Sequence, residues 1–255
     1  MQEQSRPVPP AIRALIAFVA PLFGAVLLGV VVALLVGGPD ARDPSGRAST
    51  TLILGGLGIT SLIFGVRWYG FDDLGLRGGR PLYASIGFAT VAWLIFLAAR
   101  LLVPSNTNVV VAPDFGRAFI YLLLFEAFAL QLWTFGFLFR ELANWRGPLT
   151  AAVTCGILFG AIASQFFEEA YIETTVSVMY FLVWGVLYGL IRLRTGSFLG
   201  TVIIQAMHSL TAWYILLPGV EPTRQELHPL YLISATLYLM LIWRLWPKTE
   251  EDYRI

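Results

Sequence analysis

The sequence predicts an all-α, polytopic integral membrane protein, a bundle of about eight transmembrane helices. Three observations carry that prediction. Hydrophobic residues make up 57% of the 255-residue chain and charged residues only 13%, far from the balance of a water-soluble domain. Mean hydropathy is +0.73. The few charges are spaced to leave uncharged stretches of about 18 residues or more, enough to cross the roughly 30 Å hydrocarbon layer as a helix.

The first stretch, residues 14–38, is longer than the apolar region of a secretory signal and lacks a small-x-small cleavage site, so it reads as a permanent span. Residues 48–66 and 81–99 follow. The fourth stretch, 118–139, is broken only by Glu126, and the fifth is 147–167. The sixth and seventh are 174–191 and 195–220. The eighth, 229–246, contains Arg244, which at a helix end snorkels to the interface between Trp243 and Trp246.

Eight spans put both termini on one side, and that side collects twelve of the 17 Lys and Arg residues against five opposite. Because cytoplasmic loops are enriched in these residues, both ends are predicted cytoplasmic, in what reads as a bacterial plasma membrane. The acidic segment 166–173, with Glu168, Glu169 and Glu173, then faces outward and reads as a solvated loop or a dock for a basic partner. Trp68, Tyr69, Trp145, Trp213, Tyr214, Trp243 and Trp246 read as interfacial anchors. A net charge of +1 gives no sign of nucleic acid as a partner. Cys155 is the single cysteine, which excludes an internal disulfide and a cysteine metal cluster and leaves a packing role. No repeat or soluble domain is evident. The expected division is residues 1–70 as two leading helices, 71–217 as the core, and 218–255 as the last helix and tail.

Polar residues inside the spans are the informative minority, since each needs a partner or a cavity in hydrocarbon. Thr201, Gln205, His208 and Ser209 share one face of the seventh span, and Gln131 and Thr134 share one on the fourth. With α-helical spacing Glu126 lies about 140° around from Gln131, so the two are expected on different faces. His228 is expected in an outer loop. Gly156 and Gly160, like Gly185 and Gly189, have the GxxxG spacing that lets helix backbones approach in lipid.

The stretches LQLWTFGFLFRELANWRGPLTAAVTCGILFGAIAS (130–164) and GVLYGLIRLRTGSFLGTVIIQAMHS (185–209), with FDDLGLR (71–77) before them, resemble the core of the CPBP family, the CAAX-protease and bacteriocin-processing (Abi) intramembrane proteases. In that family EExxxR, FxxxH and HxxxN motifs on successive helices assemble the site, and a glutamate activates water. The resemblance places the two glutamates at Leu130 and Gln131 and the arginine at Phe135. The first histidine falls at Ala163, the second at Gln205 and the asparagine at Ser209. Hydrolysis by activated water needs a base, and none of these residues supplies one.

The resemblance therefore implies a protease fold without protease chemistry, retained as an accessory subunit or assembly factor that binds or braces transmembrane helices of other proteins within the lipid. Two other readings stay open. Glu126 and His208 are the candidates for a displaced catalytic pair in an active intramembrane endopeptidase. His208 is also the one position for a metal or tetrapyrrole in a cofactor-binding subunit, though no cofactor is predicted.

Overall fold

Charge placement decides where the helices stop. The computed structural model describes residues 8–36, 47–102, 115–166, 175–211 and 224–254. Among the described residues the chain forms α1 (Pro10–Val36), α2 (Arg47–Asp73), α3 (Arg80–Leu102) and α4 (Phe115–Arg146). It continues with α5 (Pro148–Phe166), α6 (Thr175–Thr195), α7 (Leu199–Leu210) and α8 (Arg224–Leu245), and ends in a 3-10 turn, Glu250–Asp252. The result is the all-α membrane bundle that composition predicts. By length and apolarity, six helices, α1 to α6, can each cross a membrane. Within the described residues α7 is shorter, and α8, which carries His228 and Arg244, is not among the six.

Two expectations are corrected. The seventh stretch does not begin at Thr195: that residue ends α6, where its hydroxyl donates to the Ile191 carbonyl at 2.7 Å. Gly196, at φ +78°, then donates its N–H to the Arg192 carbonyl at 2.9 Å, a left-handed cap that an uninterrupted apolar pattern does not announce. His228 also lies inside α8, not in a loop. Pro229 falls close enough to the start of α8 that its ring and missing N–H interrupt little of the helical bonding. Glu168, Glu169, Glu173, Trp213 and Tyr214 lie outside the described residues.

Helix α4 is the axis of the bundle, with 78% of its apolar window buried against 17% for α1. Around it the chief packings are α5 on α6, α1 on α2, α6 on α8 and α3 on α7. The α5/α6 contact depends on absent side chains. A Cβ at Gly156 would meet Val186 Cα at 2.6 Å, and one at Gly185 would overlap the Gly156 carbonyl and reach Gly160 N at 2.9 Å. In lipid, where apolar surface gives no preference for helix over acyl chain, such close backbone approach is what holds two helices together.

At one end of the bundle a buried acid ties the first helix to the fourth. Glu141, 1% exposed, accepts from Arg13 Nε at 3.2 Å and Nη2 at 3.0 Å. Arg13 also donates to the Tyr69 hydroxyl at 2.9 Å and lies over the rings of Trp68 and Tyr69 at 4.9 and 5.2 Å. Removing Arg13 would leave the carboxylate enclosed with a weaker partner set. Arg13→Ala is therefore expected to cost about 2 to 3 kcal/mol, in the lower part of the buried-pair range because Arg13 remains partly open to solvent. Thermal unfolding in detergent checks this, and Arg13→Lys should recover part of the loss.

Candidate functional site

The site is built where α4 departs from α-helical bonding. Leu122–Ala129 and Leu132–Leu138 are π-helical, with backbone bonds spanning five residues instead of four. Neighbouring helices supply donors to the carbonyls along this widened stretch. From α7, Gln205 Nε2 donates to the Glu126 carbonyl at 3.3 Å; from α6, Arg192 Nε donates to the Phe135 carbonyl at 3.2 Å. Within α4 itself the Thr134 hydroxyl donates to the Leu130 carbonyl at 2.9 Å.

A directional chain of hydrogen bonds crosses from α7 to α4. The Thr201 hydroxyl lies 2.6 Å from both Gln131 Oε1 and the Phe198 carbonyl, so its single proton serves one of them at a time. Gln131 Nε2 donates to Gln205 Oε1 at 2.5 Å, and Gln205 passes its own N–H to the backbone of Glu126. Thr201 and Gln131 are fully buried and Gln205 is 1% exposed. One amide from α7 therefore touches residue 131 through its side chain and residue 126 through its backbone.

Of the other positions flagged by the sequence, Leu130, Phe135, Ala163 and Ser209 are buried and supply neither acid nor base. Leu130, Phe135 and Ala163 are fully buried, and Phe135 packs on Phe159 at a ring distance of 5.3 Å. Ser209 is buried on the α7 face that also holds Thr201, Gln205 and His208. His208 packs against two aromatic rings, with its centroid 4.1 Å from that of Phe96 and 4.8 Å from that of Trp184. Glu126 is 1% exposed. Among the described residues no group of three His, Cys, Asp or Glu is placed to hold a metal ion.

Sequence reading passed over Arg192, which the structure buries completely beside the Phe139 ring at 5.0 Å. The signal was present in LIRLR: Arg192 and Arg194 are two residues apart on a helix, about 200° around the axis, so one must point inward if the other meets solvent.

Residues 112–211 match the family model described as Rce1-like, type II CAAX prenyl endopeptidase Rce1-like. That segment takes in α4 through α7 and both glutamines of the central chain. No curated protein and no solved structure gives a match.

Proposed function

From the premise that this is a membrane protein with an Rce1-like core of the CAAX-protease family, we propose that it is non-catalytic and braces a transmembrane helix of another protein, as an accessory subunit or assembly factor. The observation that carries this reading is the Thr201–Gln131–Gln205 chain. Where the family resemblance places a water-activating glutamate there is an amide, and its donor and acceptor are both engaged by neutral groups. An amide takes no proton at neutral pH, so a peptide held at this centre meets no base.

A place for the bound helix is an apolar groove of about 330 Å³ between α3 and α8, lined by Leu94, Ala98, Ala99, Ile233 and Leu237 among others. Its alanines offer the small-residue surface on which helices associate in lipid. The test is a photo-crosslinker at Leu94 or Ile233 in native membranes, with Phe23 on the outer face of α1 as control. The reading expects one discrete, intact membrane protein joined from both groove positions, absent from Phe23 and lost when Ala98→Trp fills the groove. No adduct, or an adduct shortened by cleavage, would defeat it.

The rival reading, an active endopeptidase, draws on one observation: Glu126 is a buried carboxylic acid whose own backbone belongs to the same hydrogen-bonded chain. It requires cleavage by the reconstituted protein that Glu126→Gln abolishes.

A further inference from the structure

Away from the central glutamines, two guanidinium groups meet one carboxylate, and a third lies within electrostatic reach, where α2, α4 and α6 come together. Asp73 Oδ1 is 3.3 Å from Arg77 Nη2, and its Oδ2 is 3.6 Å from Arg140 Nη2. Arg192 lies beneath, within electrostatic reach of Arg77, Arg140 and Asp73. Of the other acids nearby, Asp252 is engaged by Arg194, and Asp72 offers Arg77 Nε its backbone carbonyl at 2.9 Å. Arginine stays charged in proteins, and among the described residues Asp73 is the one carboxylate ion-paired within this group of three.

Hydrogen bonding is incomplete in the same place. Arg192 is 0% exposed and uses Nε on the Phe135 carbonyl, yet its Nη1 and Nη2 have no hydrogen-bond partner among the described residues. The buried Nε of Arg140 is in the same position. An enclosed guanidinium with idle donors is costly, and an anion with several acceptor oxygens relieves both the charge and the donors. Gly75 packs its backbone against the guanidinium: at φ +89° it sits where any Cβ would lie 2.5 Å from Arg192 Nε. Arg77 and Arg140 remain partly exposed at the rim, while Arg192 forms the floor.

We propose that this cluster is a binding site for a phosphate group, from either a phospholipid headgroup or a soluble phosphate. Forked guanidinium donors match phosphate oxygens in pairs, and a tetrahedral anion reaches floor and rim together. A site at the end of the helices is also at the depth where headgroups lie.

The test uses the full chain in a maltoside detergent free of phosphate. Its unfolding midpoint is measured with inorganic phosphate, with phosphatidylglycerol, and with sodium chloride at matched ionic strength. Either phosphate source should raise the midpoint by about 5 °C at saturation. Arg140→Gln and Arg192→Lys should each remove most of that shift. A response to both sources assigns a soluble anion, and a response to phosphatidylglycerol alone assigns the headgroup. An equal shift from chloride, no shift from either source, or a full shift retained in Arg140→Gln would overturn the proposal. Should Arg192→Lys fail to fold, the partly exposed Arg140 decides the matter alone.

Discussion

Replacing Gln131 with glutamate is expected to destabilise the protein by about 2 to 4 kcal/mol and to confer no peptide-bond cleavage. The amide Nε2 now donates to Gln205 Oε1 at 2.5 Å. A carboxylate there sets oxygen against oxygen in a site without solvent. Turning the Gln205 amide over would relieve that contact, but it would then aim Gln205 Oε1 at the Glu126 carbonyl, which currently receives an N–H at 3.3 Å. The conflict moves along the chain and does not disappear. Protonation of the new acid restores a donor and removes the charge, so the variant should lose less stability at low pH than at neutral pH. Unfolding midpoints across that range check the sign, and a reconstituted cleavage assay checks the chemistry. Activity is not expected because the positions where the resemblance places the family histidines hold Ala163 and Gln205. Cleavage by Gln131→Glu alone would show that one missing base was the whole deficit.

Gly185→Leu is expected to cost at least about 3 kcal/mol, at or beyond the upper end of ordinary overpacking. The new side chain would run into the backbone of α5 at Gly156 and Gly160, which cannot rotate away as a side chain can. Separating the helices to admit it would undo the largest interhelical packing in the bundle. Gly29→Leu on α1, where an added Cβ meets nothing within 4 Å, is the matched control and should be nearly neutral. Unfolding in mixed micelles compares the pair, and equal losses would mean that the glycine contact is not what holds α5 to α6.

The sequence exposed what depends on one residue at a time and hid what depends on distant partners. Uncharged stretches located the helices because charges are excluded from hydrocarbon wherever they occur. The boundary at Thr195 was missed because a glycine cap and a threonine back-bond set it, and neither alters apolarity. The π-helical bonding of α4 was invisible for a deeper reason. Its residues are ordinary apolar helix formers, and the carbonyls of the widened stretch meet donors from Gln205 and Arg192, 79 and 57 residues away. The glutamines could be named as a polar face, but their order of donation belongs to the packed helices. Arg192 was passed over because a cation near the end of a helix ordinarily meets water, and its offset of about 200° from Arg194, the one sign of burial, was not weighed.

The tie between Arg13 and Glu141 spans 128 residues of chain. During synthesis the first helix emerges long before Glu141 exists, and until then Arg13 has the Tyr69 hydroxyl and the rings of Trp68 and Tyr69 on α2 but not its carboxylate. The first two helices can therefore pair with each other before the fourth arrives to complete the tie. Assembly of this bundle closes from its beginning onto its middle, and a chain halted after three helices would hold its first by α2 without the ion pair to α4.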